Sequence, residues 1–179
     1  MNIHKPISLI EVTRKPGTAP HHGIMRIGAT TIDCSLGRSG ITARKHEGDG
    51  ATPIGDHRLL YGYARRDRMR LPASQLMLEE PGPSDGWCDD PTSGLYNQPI
   101  SLPTNFSHET LCRDDRLYDV CIVLDYNISQ KAKNRGSAIF FHLTRKDNGP
   151  TEGCIAISPH HMKILLPRLS SETIMRVRG

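Results

Sequence analysis

Two residues of this sequence have the types and the spacing for nucleophilic acyl chemistry. Cys154 lies in TEGCIAI, and His142 falls at the end of the apolar run SAIFFHL, twelve positions earlier. Cysteine attack needs a thiolate, a base within reach and hydrogen-bond donors for the oxyanion. Gly153 has no Cβ, so the backbone before the cysteine can turn tightly and approach a ligand. A tight turn there exposes the thiol and aims backbone N–H groups at an acyl oxygen. Histidine titrates near neutrality and is the usual base. A strand–loop–strand return of this length brings the two side chains together. Both residue types also have plain structural uses: a cysteine as a small buried hydrophobe, a histidine as a hydrogen-bonded group at a strand end. Spacing alone leaves both readings open.

The elements that must position this pair are legible as short strands. Residues 7–13 (ISLIEVT) and 24–35 (IMRIGATTIDCS) are β-branched and alternate, with the turn-like KPGTAPHHG between them, which predicts two strands joined by a loop. Strand patterns return at residues 57–63, 118–126 and 137–143, and again in IAI after the cysteine and in TIMRVR near the end. SPHHMKILLPRL, residues 158–169, predicts the one convincing helix. Ser158 caps it, Pro159 fits its first turn, and Met162, Leu165, Leu166 and Leu169 share a face; Pro167 breaks its last turn. Residues 64–116 are rich in Arg, Asp, Pro and Gly and read as a long irregular insertion, of the kind that is functional or disordered in compact domains. Its aromatic and cysteine content argues against full disorder.

Composition sets the class. The 179 residues suit one domain, 1–179, with a real core. The 16 glycines and 13 prolines favour turns and short strands over long helices. A net charge of +4 permits contact with an anionic polymer without demanding it. No apolar run reaches membrane-spanning length, and MNIHKPISLIEVTRKPGTAPHHG lacks the apolar centre of a secretory signal. The five cysteines form no CxxC pair, which leaves a zinc ribbon or a thioredoxin-like motif unsupported, and their odd number leaves at least one thiol unpaired in a monomer.

Several segments together carry a resemblance: GRSGITARKHEGDGATPIGDHRL, GWCDDP, LYNQPI, YDVCIVLDYN, GSAIFFHL and PTEGCIAI. In order and rough spacing, from about Leu36 to Arg178, they resemble the L,D-transpeptidase (YkuD-like) catalytic domain, in the branch without a separate wall-binding module. The resemblance implies a mainly β sandwich or barrel domain with a few short helices. It implies a thioester enzyme that cuts a peptidoglycan stem peptide after the L-centre of diaminopimelate, releases D-alanine and passes the acyl group to an amine of a second stem. Cys154 is then the nucleophile, His142 the base oriented by a backbone carbonyl, and the N–H groups of Gly153 and Cys154 the oxyanion donors. Thr52-Pro53-Ile54-Gly55 matches the family's TPxG element and reads as a scaffold lining the cleft.

Two departures stand out. Thr151 and Glu152 replace the Ser and His of the family's SHGC, and Ala156 stands where an Arg is usual. Losing that cation calls for another basic residue near the thiol; Arg145, Lys146, Lys45 and Arg44 are the candidates. Glu152 either meets a substrate amine or pairs with a nearby Arg. Substrate contacts are thus expected at Glu152, Thr151, Lys45, Trp87 and Arg145. Trp87, the only tryptophan, is either a cleft wall or a loop anchor in a satellite core. Tyr96-Asn97 and Tyr126-Asn127 either position polar groups near the site or form turns.

No metal or cofactor is expected. Asp89-Asp90 makes a poor cage, and the adjacent pairs His21-His22 and His160-His161 cannot converge on one ion. ARRDRMR lacks interleaved aromatics and is interrupted by Asp67, so no nucleic-acid partner is expected. Three functions remain: an L,D-transpeptidase, a cysteine hydrolase on the same stem peptides, and a non-catalytic wall-binding domain with an inert Cys154. The implied substrate points to the periplasm or cell envelope. With no export signal read, the cytoplasm is the alternative. The sequence does not set the oligomeric state.

Overall fold

The computed structural model describes residues 5–179; the first four residues of the segment read for an export signal lie outside it. β1 (Leu9–Arg14), β2 (His22–Ile27) and β3 (Thr30–Ser35) open the chain as a meander. The expected single strand over 24–35 is two. Ile27 pairs with Thr30 across a two-residue turn, and Gly28 takes φ 59° at its first position, a geometry glycine adopts without a Cβ penalty. β4 (Ile41–Thr42) and β5 (Thr52–Pro53) form a small parallel pair, followed by the long β6 (Gly55–Ala64). β7 (Leu78–Glu79), β8 (Asp85–Cys88), β9 (Gln98–Ser101) and β10 (His108–Thr110) fall within 64–116. β11 (Val120–Leu124), β12 (Phe140–Leu143), β13 (Ile155–Ile157), helix α1 (Pro159–Leu165) and β14 (Ile174–Arg178) complete the chain.

The main sheet runs β11-β12-β13-β3-β2-β1-β14-β6, and β6 pairs back onto β11. The sheet therefore closes on itself, which removes its open edges. β1 lies parallel to β14, and β12 parallel to β13. Alternation along these strands sends Ile10, Val12, Met25, Leu59, Ile122, Phe141, Leu143, Ile155 and Val177 into one buried cluster. Each such side chain contributes about 2 kcal/mol of apolar burial. Met162, Leu165 and Leu166 bring α1 onto the same cluster. The helix begins as its sequence dictates: Ser158 Oγ accepts the His161 N–H and Pro159 occupies the first turn. Pro167 ends it, and residues 166–168 continue as a 3-10 turn.

The opposite face of β11 and β12 carries a second cluster: Cys121, Val123 and Phe140, joined by Tyr63, Trp87, Leu111, Tyr118 and Cys154. Trp87 and Leu111 come from the 64–116 segment. That segment is ordered around a three-stranded antiparallel sheet, β10-β8-β9. Three of its arginines pair within or beside it, Arg65 with Asp67, Arg68 with Asp114 and Asp119, and Arg113 with Glu109 and Asp115. Within ARRDRMR, Arg65 and Arg68 thus tie the segment together, while Arg66 and Arg70 are exposed.

Candidate active site

Phe140 and His142 are two apart on β12 and share a face. Phe141 and Leu143, between and beyond them, point into the barrel core. β13 runs parallel beside β12 with His142 opposite Ala156, and Cys154 immediately precedes β13. This register brings Cys154 and His142 onto the wall of one cavity of about 310 Å³. Ala138, Thr151, Glu152, Arg145 and Ala156 line it from the barrel side, and Asp89, Glu109 and Arg113 from the 64–116 segment.

The turn before Cys154 is held by hydroxyls. Thr151 Oγ1 donates to the Cys154 carbonyl at 2.7 Å and accepts the Gly153 N–H at 3.2 Å. Thr52 Oγ1 accepts the Gly37 N–H at 2.9 Å and lies 3.5 Å from the same Cys154 carbonyl, so the TPxG segment stands behind Cys154. Gly153 has φ 137°, and a Cβ there would lie 2.9 Å from the Ala51 carbonyl oxygen. Gly153→Ala is therefore expected to cost on the order of 2 kcal/mol through backbone strain and that contact, read as a lower urea midpoint. Wild-type stability in this variant would show that the turn can relax without glycine.

The Cys154 side chain is 7% exposed; the tight turn does not expose the thiol as the sequence suggested. Its Sγ–H donates to the Ala138 carbonyl at 3.2 Å, and its sulfur accepts the Phe140 N–H at 3.3 Å. Burial pushes the thiol up to about 12, against the smaller opposing effects of the Phe140 N–H, Lys45 and Arg113. His142, 4% exposed, donates from Nδ1 to the Leu143 carbonyl at 2.8 Å. A carbonyl only accepts, so Nδ1 carries the proton and Nε2 keeps its lone pair. Burial pushes His142 down to about 4, outweighing the Leu143 and Leu117 carbonyls that favour its cation. The resting pair is thus neutral thiol and neutral imidazole, and among the described residues no hydrogen bond joins them.

Burial pushes Cys34 up to about 12 and Cys121 well above the ordinary range, as it does Cys154. Cys88 is also buried, and Cys112 alone is partly exposed. Limited iodoacetamide labelling at pH 7.5 is expected to mark Cys112 first, with Cys154 slower by about tenfold or more. Peptide mapping that shows Cys154 labelled first would mean that the ligand-free site holds a thiolate.

The remaining candidates separate. Glu152 is exposed and pairs with Arg38, the surface-pair alternative. Thr151 shapes the turn, as described, and its hydroxyl occupies the Gly153 N–H. No side-chain acceptor among the described residues takes the Cys154 N–H. Lys45 is buried and held by Asp49 and the His46 carbonyl, so it acts on the thiol through its field. Arg145 is exposed on the cavity wall; Arg44 and Lys146 are not part of that wall. Trp87, 1% exposed, is the loop anchor: its ring packs edge-on against Phe140 and its Nε1–H donates to Asn97 Oδ1 at 3.0 Å. Of the adjacent acids, Asp89 faces the cavity while Asp90 accepts from Thr92. Among the described residues no group of three or more His, Cys, Asp or Glu could hold a metal ion.

Three residues of the site were not named from the sequence. Tyr118 stands edge-on to His142 at 5.1 Å and to Phe140 at 5.8 Å. Arg113 lies over the Tyr118 ring at 4.9 Å, and Glu109 accepts from both. Arg113 brings a cation to the cavity from the 64–116 segment, opposite the methyl group of Ala156. Only the charge run RDDR marked it, and such runs usually lie on solvated loops.

The family model described as the L,D-transpeptidase catalytic domain, YkuD, matches residues 22–177. The chain belongs to that family. No curated protein matches it.

Proposed function

We propose that this chain is a peptidoglycan L,D-transpeptidase, of a branch with TEGC in place of SHGC, that works through a Cys154 thioester. Its partners are donor and acceptor stem peptides, and its place of work is the periplasm or cell envelope. The observation that carries this reading is His142 on β12 and Cys154 just before the parallel β13, lining one cavity in a family whose domain is a transpeptidase.

The chemistry follows from the groups present. With substrate in the cavity the thiol leaves the Ala138 carbonyl and gives its proton to His142 Nε2. The sulfur attacks the carbonyl at the L-centre, the Cys154 N–H receives the developing oxyanion, and His142 returns the proton to the departing amine of D-alanine. The acceptor amine then attacks the thioester, the C–S bond breaks and the thiol re-forms. Among the described residues no helix is long and apolar enough to cross a membrane.

Incubation of the purified protein with disaccharide tetrapeptide tests the proposal. Cross-linked dimers are expected, read by mass spectrometry. Shortened monomers alone would assign a hydrolase instead, and unchanged substrate with no acyl-enzyme would leave a binding domain.

A further inference from the structure

Asn97 is 1% exposed, and its side chain uses every hydrogen-bonding group it has. Oδ1 accepts the Trp87 Nε1–H and the Ala138 N–H, each at 3.0 Å. Nδ2 donates to the carbonyls of Tyr126 and Asn127, at 3.2 and 2.9 Å. Its own φ is 57°, so the turn reading of Asn97 holds as well. The side chain of Asn127 continues the network, donating to the Gly136 carbonyl at 2.9 Å. One amide therefore joins the 64–116 segment, the loop before β12 and the residue whose carbonyl holds the thiol proton.

Ala138 needs that support. Its φ is 50°, a left-handed conformation that costs a residue with a Cβ about 1 kcal/mol. The two backbone partners of the sulfur are held differently. Phe140 belongs to β12 and is registered against Val123, so the sheet fixes its N–H. Ala138 precedes the strand, and Asn97 fixes it. The Phe140 N–H favours a thiolate; the Ala138 carbonyl favours a thiol.

We infer that Asn97 is a positioning residue for the nucleophile: through its bond to the Ala138 N–H it holds the carbonyl that keeps Cys154 protonated and aimed in the resting site. The inference rests on the reading of Cys154 as nucleophile, but its first test does not require turnover. Lys45, Glu109, Arg113, Tyr118 and Cys121 also act on or beside the sulfur, and the variants below leave them in place.

Asn97→Gly removes the side chain and keeps a residue suited to φ 57°. In the folded variant, iodoacetamide labelling of Cys154 relative to Cys112 at pH 8 is expected to rise roughly tenfold, because the carbonyl that retains the proton is released while the Phe140 N–H stays. Turnover of the stem peptide is expected to fall roughly tenfold in kcat with KM nearly unchanged, since the sulfur loses its aim. Ala138→Val disfavours the left-handed conformation with Asn97 intact. It is expected to show the same signature, and it carries the test if Asn97→Gly does not fold. Trp87→Phe loosens the same cluster without touching the Ala138 bond and is expected to leave the labelling ratio at its wild-type value. Wild-type labelling ratios in Asn97→Gly or Ala138→Val overturn the inference, as does a Trp87→Phe ratio that rises equally. A raised ratio in a protein that makes no acyl-enzyme would uphold the positioning role and remove the proposed reaction.

Discussion

Cys154→Ala is expected to abolish acyl-enzyme formation and to lower transfer by roughly 10⁴-fold or more, as deletions of covalent nucleophiles do. Folding is expected to change by only about 1–2 kcal/mol. The substitution removes one sulfur and leaves the Ala138 carbonyl and the Phe140 N–H without their partner. Intact-mass measurement after exposure to a carbapenem reads the first effect, and urea denaturation reads the second. The wild type is expected to gain one adduct and the variant none. An adduct that persists in Cys154→Ala, mapped to Cys112 or elsewhere, would exclude Cys154 as the acylated residue.

His142→Gln is expected to cut turnover by about 10²–10⁴-fold, the range general-base removal gives, while the cavity stays filled. The pH dependence sharpens the assignment. Burial holds His142 at about 4 in the folded protein, below its ordinary value near 6.5. Between those values the unfolded chain binds a proton that the folded chain refuses, so wild-type stability falls as pH drops from 6.5 to 4 and levels below. The loss amounts to about 3 kcal/mol. His142→Gln has no such group and is expected to lack that part of the slope. The same neutrality keeps Nε2 available as a base in mild acid, so the acidic limb of kcat/KM should centre near pH 4 rather than 6.5. A limb at 6.5, or identical stability slopes for the two proteins, would mean that the folded site leaves the imidazole at its ordinary value.

The elements nearest the chemistry were the most legible. YDVCIVLDY and SAIFFHL are dense in β-branched and aromatic residues, and they became β11 and β12. Ser158-Pro159 marked the helix start because capping is a local event. The 24–35 run concealed its turn because Gly28-Ala29 interrupts the apolar pattern by only two residues. The strands within 64–116 are short and interleaved with Pro, Asp and Arg, so no window was long enough to show a period. Cys154 and His142 were found by type, but their ionisation was not, because spacing does not report how much water a fold removes. Tyr118 meets His142 edge-on from 24 positions away in the sequence, and Asn97 bonds to Ala138 from 41. No local pattern encodes such meetings.

The four residues of β12 alternate between two masters. Phe141 and Leu143 complete the barrel interior, while Phe140 packs in the cluster with Cys154 and His142 lines the cavity that Cys154 also lines. A substitution that shifts the interior strand by a fraction of an ångström shifts the reacting groups with it, because close-packed cores transmit strain. Substitutions in the barrel interior near the site are thus expected to disturb the cavity as well as the core. The sheet formed by β8, β9 and β10 touches only the outward side, and it carries Asp89, Glu109 and Arg113 to the cavity. Substrate preference can drift through that sheet while the barrel stays constant, so divergence among descendants of this chain should concentrate in residues 64–116.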